Sequence, residues 1–306
     1  MKKISVMIAF VSNPYMAFFQ YLTYKKYWKD EVDEVLVNVN GRNERIRNLI
    51  AEFWGKDDKV KFIDNYDGEI RQGHAFNNLW SHVTGNVVMV VDSDNFIYAP
   101  GVVKYYSELV YKNVHTAVGS TGFHAVPKEV AEKAIKKYGT VRLNPFMAFF
   151  RKDIADKIKD IDFRTRGFVP GDVLPCFGKM TVKGWVDVLG MFCLQYFEIG
   201  KNYFRIYEKE PGKYMHATGL SSMFRRQFRS LEEKNIFVEG SYTKGWLAGY
   251  AWYQLMYEKT KHMVPDDYNR EYEKMFAFNI KNDGIGMEKV NMIVREFKTD
   301  HKGLDV

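Results

Sequence analysis

The chain has 306 residues, of which 46% are hydrophobic and 27% are charged, a balance typical of a soluble globular protein. This length allows one large domain, or one domain with an appendage. The net charge of +7 suits an anionic ligand or a polyanionic surface. The lysines are spread over predicted helices, where they usually form solvated faces, so charge alone only weakly favours nucleic acid or a membrane.

The cysteines and the apolar runs indicate where the protein resides. Cys176 and Cys193 lack the spacing of a metal site and provide no disulfide framework, which is consistent with a reducing compartment. Residues 1–11 imitate a signal peptide, but the apolar run is short and no small-residue cleavage site follows, so we interpret it as a strand. Because no run approaches the roughly 20 apolar residues of a membrane span, we expect a cytoplasmic protein without a transmembrane segment.

The first third of the chain alternates predicted strands and helices. The strands are expected at residues 4–11, 35–40, 60–63 and 87–91, and the helices between them at residues 14–28, 44–54 and 73–83. Strands that alternate with helices in this way form parallel sheets with right-handed crossovers. The sequence therefore predicts an α/β fold with a mostly parallel sheet flanked by helices.

The pattern loosens after residue 95. Helices are expected at 102–111, 127–137, from 152 onward and at 171–183, and extended segments at 116–123 and 146–150. From about residue 224 the pattern indicates only helices, separated by breaks that contain glycine. We therefore expect a main domain over residues 1–223 and a helical C-terminal extension over residues 224–306.

The strongest functional signal is a pair of acids at the end of the fourth strand. Four valines and a methionine, the pattern of a buried strand, lead directly into Asp92, Ser93 and Asp94. If the backbone stays extended through Ser93, the two carboxylates project to the same side, at the edge where open α/β sheets bind ligands. Adjacent acids repel each other unless a cation lies between them, and oxygen ligands suit Mg²⁺ or Mn²⁺. The alternative is an Asp-rich turn that closes the strand.

Several features, in sequence order, resemble the GT-A glycosyltransferases, most closely glycosyltransferase family 2. They are the first strand with residues 10–13, the glycine- and Asn-bearing helix at 71–80, the acidic strand end at 85–94, the apolar strand and Arg-x-Asp at 144–153, Gly171-Asp172 with Gly184-Trp185 downstream, and the late His216. The resemblance covers about residues 3–222. This chain departs from the family at the second strand, which ends in Asn38 and Asn40 where Asp is usual, and at Gly171, where the family has Glu.

The resemblance implies a GT-A fold, a UDP- or GDP-linked sugar donor and a Mn²⁺ or Mg²⁺ ion. Asp94 would bind the metal, with Asp92 touching the ion, its bound water or the ribose. His216 would bind the metal or donate a hydrogen bond to the diphosphate. The nucleotide-sugar site would lie in about residues 1–98 and comprise Val11, Asn13, Asn40, Arg71, Asn77, Asp92 and Ser93.

The acceptor half, about residues 99–223, would supply the general base. Asp172 has the family position and would take the proton of the acceptor hydroxyl in an inverting transfer. Asp160, Asp162 and Asp187 are the alternatives. Phe149, Arg151 and Trp185 are candidates for contacts with the acceptor, which the sequence leaves open as a glycan or a small molecule. Retention of configuration also stays open.

A basic and aromatic cluster at residues 224–229 bears on the acceptor. On a helix, Arg225, Arg226 and Arg229 would share one side, which allows a solvated face, a surface for nucleic acid or another anion, or a peripheral membrane contact. Two alternatives therefore accompany the main prediction. One is a glycosyltransferase that acts on modified bases of nucleic acid, and the other is an inactive module that keeps only nucleotide-sugar binding.

Overall fold

The structure, a computed structural model, describes residues 2–11, 13–40, 43–63, 71–122, 127–174, 177–200, 202–207, 209–210, 212–217, 247–300 and 302–304. Its strands are β1 Ile4–Val11, β2 Glu34–Asn40, β3 Val60–Phe62, β4 Val87–Asp92, β5 Asn95–Ile97, β6 Ala117–Gly119, β7 Thr121–Gly122, β8 Arg142–Leu143, β9 Met147–Arg151, β10 Arg166–Phe168, β11 Val173–Leu174, β12 Gly178–Lys179, β13 Gly184–Val186, β14 Tyr203–Arg205, β15 Lys209–Glu210 and β16 Tyr214–His216. Its α-helices are α1 Pro14–Thr23, α2 Glu44–Trp54, α3 Gln72–Trp80, α4 Val102–Tyr111, α5 Lys128–Tyr138, α6 Lys152–Ala155, α7 Gly190–Ile199, α8 Leu247–Thr260, α9 Asp266–Asn282 and α10 Met287–Asp300.

Seven strands form the central sheet, in the order β14-β6-β9-β4-β1-β2-β3. Strands β1, β2, β3 and β4 pair in parallel, as do β6 and β14, whereas β9 runs antiparallel to both β4 and β6. The α/β fold class with a mostly parallel sheet flanked by helices, which the GT-A resemblance implied, is confirmed by this order.

Both faces of the sheet are buried, because alternate residues of β4 belong to two different cores. Val87, Met89 and Val91 pack on the side of α1, α2 and α4. Val88 and Val90 pack on the other side, with α3 and α7. A strand covered on both faces needs apolar residues at every position, which explains the unbroken run that precedes Asp92.

The described C-terminal helices are part of the first of these cores. Tyr250, Trp252 and Tyr272 lie in the same buried cluster as Tyr15 and Phe19 of α1. The helical character expected for this region is confirmed. The expected boundary between residues 223 and 224 falls in residues 218–246, outside the described part of the chain.

A buried carboxylate, Glu34, joins the amino ends of the strands. Its side chain accepts hydrogen bonds from Ser5, from Lys61 at 2.9 Å, and from the backbone and hydroxyl of Thr84 at 2.7 and 2.8 Å. Burial alone would raise the pKa of Glu34, but these hydrogen bonds outweigh it and lower the pKa to about 2. The residue therefore stays ionised in the folded protein at neutral pH.

The prediction of a helix at residues 171–183 is wrong. Strands β11 and β12 form a hairpin here, with Val173 opposite Lys179. Gly171 and Gly178 have φ angles of +101° and +71°, a left-handed conformation that breaks a helix and suits turns. The helix that begins at Lys152 is also short, since α6 has four residues.

Within the described residues, no helix combines the length and the apolar character that crossing a membrane requires.

Candidate functional site

The acid pair lies at the carboxyl edge of β4, in the middle of the sheet. The strand ends at Asp92, which pairs with Ala9 of β1, and Ser93 and Asp94 form a turn before β5. The backbone therefore does not stay extended through Ser93, which was the condition for the two carboxylates to project to the same side. The carboxylates of Asp92 and Asp94 nevertheless lie within 4.8 Å of each other.

His216 reaches the acids through strand pairing. Strand β16 runs antiparallel to β5 with His216 opposite Asn95, and the amide of Ala217 donates to the carbonyl of Asp94 at 2.9 Å. The imidazole Nε2 lies 3.3 Å from Asp94 Oδ1 and 3.8 Å from Asp92 Oδ2. The ring of Phe146 stacks on the imidazole with 5.2 Å between centroids.

The electrostatics of this cluster favour a bound cation. Burial, and then the nearby charge of Asp94, raise the pKa of Asp92, while His216 and a hydrogen bond from Gln72 partly offset the rise. Two carboxylate oxygens and one imidazole nitrogen are donors that Mn²⁺ accepts, and Mg²⁺ takes the oxygens. Asp92, Asp94 and His216 form the one group of potential metal ligands of this kind in the described ranges. The donor set fits the expected divalent ion, although it does not identify the metal.

Two glutamines hold the acid pair, and the sequence analysis missed both. Gln72, the first residue of α3, donates a hydrogen bond to Asp92 Oδ1. Gln20 of α1 donates to the carbonyls of Asp92 at 3.1 Å and Asn95 at 3.0 Å. Gln72 lies inside the motif at residues 71–80 and could have been found there, whereas nothing near Gln20 in the sequence points to the site.

The residues expected to bind the nucleotide sit along the same edge. Val11 and Asn40 are the last residues of β1 and β2 and lie opposite each other in the register. Asn13 is buried and caps α1, its side-chain oxygen accepting from the amide of Met16 at 3.1 Å, while its Nδ2 has no hydrogen-bond partner among the described residues. Ser93 is buried in the turn. The carboxyl ends of β1, β2 and β4 thus bring these residues to one edge, but their contact with a nucleotide stays a prediction.

Asn77 is engaged elsewhere. Its amide donates to Asp162 at 3.0 Å, and its carbonyl oxygen accepts from the amide of Phe163 at 2.8 Å. These bonds fix the loop after α6 against α3. Because both ends of the amide hold this loop, the geometry does not favour a role for Asn77 in donor binding.

The predicted base Asp172 closes its own turn. Its Oδ2 accepts from the amide of Val169 at 2.9 Å, and the residue is exposed.

Asp187, one of the alternative acids, lies between β13 and α7, three residues before the helix begins. It forms an ion pair with Arg142 at 3.0 Å, and Arg142 is close enough to act on the pKa of Asp92. The sequence analysis did not single out Arg142, which is buried.

The three candidates for acceptor contacts have different surroundings. Phe149 is fully buried in the core, which excludes contact with an acceptor. Arg151 pairs with Val87, at the amino end of β4, because β9 is antiparallel, so it lies at the edge away from Asp92. Trp185 is 47% exposed on β13, and its role stays a prediction. The cluster of Arg225, Arg226 and Arg229 lies outside the described residues.

A cavity of about 470 Å³ opens beside α3. Its lining is rich in charged side chains and comprises Arg71, Gly73, His74, Asp162, Arg164, Thr165, Arg166 and Val188. Gln72, which binds Asp92, lies between two of the lining residues, and Asp187 precedes a third. The hydroxyl of the lining residue Thr165 donates to Asp187 at 3.4 Å, and Gln72 donates to Asp92, so the cavity is connected to both acids through single residues.

Neither a protein-family model nor a curated protein matches the sequence. Among solved structures, the chain is similar to the mannosyltransferase PcManGT from Pyrobaculum calidifontis in complex with GDP-Man and Mn²⁺, at 10% identity over 99% of this chain and 85% of that chain, with a TM-score of 0.47. It is also similar to residues 1–349 of S. aureus TarS in complex with UDP-GlcNAc, at 14% identity, 98% and 74% coverage and a TM-score of 0.47. A third structure is glucosyl-3-phosphoglycerate synthase from Mycobacterium tuberculosis in complex with phosphoglyceric acid, at 14% identity, 69% and 73% coverage and a TM-score of 0.40. Identities this low and TM-scores below 0.5 leave the assignment of function to the residues of the site.

Proposed function

We propose that the protein is a metal-dependent glycosyltransferase that uses a nucleotide-diphosphate sugar. The observation that carries this proposal is the convergence of Asp92, Asp94 and His216 at the carboxyl edge of the central strand. Open α/β sheets bind their ligands at that edge. A buried pair of carboxylates is costly without a cation, so the arrangement is best explained by one.

Asp92, Asp94 and His216 would hold Mn²⁺ or Mg²⁺. The bound ion would act as a Lewis acid that neutralises the diphosphate as it leaves the sugar. Gln72 and Gln20 keep the acid-bearing turn in position through their hydrogen bonds to Asp92. Asn13, Asn40 and Ser93 at the same edge are the proposed contacts with the nucleoside, and Arg71 is proposed to pair with a phosphate.

For an inverting transfer we assign the general base to Asp187 in place of Asp172. The carboxylate would take the proton of the acceptor hydroxyl while the oxygen bonds to the anomeric carbon and the bond from that carbon to the diphosphate breaks. Asp187 accepts a hydrogen bond from Thr165, which lines the cavity, and pairs with Arg142, whose charge acts on Asp92, whereas Asp172 is engaged with Val169.

The other two alternatives fit less well. Burial would raise the pKa of Asp162, but hydrogen bonds from Arg164 and Asn77 lower it, and these bonds give the carboxylate a structural role in holding the loop after α6. Asp160 is exposed on the loop after α6. Asp187 therefore remains the best candidate of the four acids.

Two measurements test this function. Calorimetric titration with UDP and GDP should show binding that is strong with Mn²⁺ and lost with chelator. Incubation with a panel of nucleotide sugars and Mn²⁺ should release nucleotide from one donor by slow hydrolysis. Equal nucleotide affinity with and without metal would refute metal-dependent donor binding. Metal-dependent binding without release from any donor would favour the inactive binding module.

A further inference from the structure

The cavity beside α3 carries an excess of positive charge. Three guanidinium groups, those of Arg71, Arg164 and Arg166, face one carboxylate, that of Asp162. Asp162 is paired with Arg164 through hydrogen bonds of 2.8 and 3.0 Å. Arg71 and Arg166 have no ion pair with any described residue. Because Arg71 is already proposed to pair with a phosphate of the donor, the cavity offers a ligand the guanidinium group of Arg166, which no carboxylate of the described residues neutralises.

The backbone brings these charges onto the start of a helix. A Cβ atom on Gly73 would lie 2.5 Å from the Cα atom of Arg164 and 2.7 Å from the carbonyl oxygen of Phe163. Only glycine thus allows the loop that carries Arg164 and Arg166 to pack on the first turn of α3. The amino end of a helix favours negative charge, which adds to the effect of the arginines.

The position of the cavity relates it to the proposed reaction. At one side, Gln72 connects α3 to Asp92. At the other side, Val188 lines the cavity next to Asp187, the proposed base. The cavity is therefore connected through Gln72 to the metal-ligand cluster and through Thr165 to the proposed base.

We propose that this cavity binds the anionic group of the acceptor, a phosphate or a carboxylate. The inference rests on the proposed glycosyltransferase function and specifies its acceptor class. Arginine pairs with both groups through paired, charge-assisted hydrogen bonds. An uncharged sugar would leave the guanidinium group of Arg166 without a partner of opposite charge among the described residues.

The test measures anion binding in the absence of metal. Inorganic phosphate and glycerol 3-phosphate, with glycerol as the uncharged probe, are titrated calorimetrically into the full chain in the presence of EDTA. The two phosphates should bind and glycerol should not. The double variant Arg164→Gln/Arg166→Gln should bind phosphate at least about tenfold more weakly, since a charge-assisted hydrogen bond contributes at least that factor. Arg295→Gln, an exposed arginine on α10, is the matched control and should bind phosphate as the wild type does.

A second variant separates loss of charge from loss of structure. Asp162→Asn keeps the hydrogen-bond acceptor that the loop uses but removes the negative charge, so it should strengthen phosphate binding. A misfolded variant would not bind more tightly. Wild-type protein that does not bind phosphate, or variants with unchanged affinity, would overturn the proposal.

Nucleotide binding distinguishes this proposal from the function on which it rests. The Arg164→Gln/Arg166→Gln variant should retain Mn²⁺-dependent binding of UDP or GDP. If that binding falls together with phosphate binding, the cavity serves the donor and the acceptor assignment is wrong. If wild-type protein binds phosphate through these arginines but binds no nucleotide with Mn²⁺, the anion site is supported. The glycosyltransferase function, and with it the assignment of the anion to an acceptor, is then refuted.

Discussion

The substitution Asp94→Asn should stabilise the protein without metal and remove its response to metal. Burial, and then the charge of Asp94, raise the pKa of Asp92 to about 7, so the melting experiment is run at pH 8.5, where Asp92 is charged. Two carboxylate charges whose oxygens lie within 4.8 Å of each other repel by about 3.5 kcal/mol or more at an effective dielectric constant of about 20, and His216 and Gln72 offset part of that repulsion. Removing one of them should therefore raise the free energy of unfolding by up to about 3 kcal/mol.

Thermal unfolding converts this energy into a measurable shift. At about 2.1 cal/mol/K per residue, the unfolding entropy of the 306 residues is about 0.6 kcal/mol/K, so metal-free Asp94→Asn should melt up to about 5 °C above wild type. Mn²⁺ at about 100 times its Kd should stabilise wild type by about 2.7 kcal/mol, or about 4 °C, and should leave the variant unchanged.

The control is Asp160→Asn, an exposed acid that is not part of the cluster. It should melt within about 1 °C of wild type under both conditions and respond to Mn²⁺ in the same way. The reasoning is refuted if metal-free Asp94→Asn is no more stable than wild type, or if Mn²⁺ stabilises it as much as it stabilises wild type.

Three further predictions concern the fold, the base and the cavity. Because Glu34 has a pKa lowered from 4.5 to about 2, its carboxylate should contribute about 3 kcal/mol to the free energy of unfolding, and this contribution should be lost as pH falls from about 5 to 2. In urea unfolding, Glu34→Gln should therefore be less stable than wild type at pH 7, by an amount that shrinks at low pH. A loss of stability that does not depend on pH would contradict this prediction. Asp187→Asn should reduce the steady-state rate of nucleotide release about a hundredfold or more without changing the nucleotide affinity. Asp172→Asn should release nucleotide at a rate near that of wild type. The reverse order of the two rates would restore Asp172 as the base. Gly73→Ala should force the facing loop away from α3 and lower the free energy of unfolding by about 1–3 kcal/mol. Calorimetry should also show weaker phosphate binding by this variant. An unchanged melting temperature and phosphate affinity would show that the contact is not needed.

The local pattern of the sequence was sufficient to predict the first half of the fold. The period of apolar residues predicted β1, α1, β2, α2, α3 and β4 close to their observed ranges, because each element buries a face that its own residues define. The same reasoning put Asp92 and Asp94 at the ligand-binding edge. An acid that directly follows a buried parallel strand must emerge at the carboxyl end of the sheet.

The later elements could not be predicted in this way. The segment at 171–183 has apolar residues that fit a helix, but its glycines adopt positive φ angles and a hairpin forms. Arg151 was a candidate for contact with the acceptor because the family resemblance includes an apolar strand followed by Arg-x-Asp. The antiparallel direction of β9, which only the pairing with β4 and β6 reveals, carries it to the opposite edge.

The sequence by itself determined the parallel α/β core, its edge and the acid pair, since these follow from periodicity within single elements. Only the tertiary structure decided how the surrounding residues reach the acids. The family resemblance had named His216, but the pairing of β16 with β5 brings it to the acids, and the packing of α3 brings Gln72. The cavity likewise combines Arg71 with Arg164 and Arg166 from a distant loop. Contacts between residues far apart in the chain depend on how whole elements pack, and no local pattern encodes that.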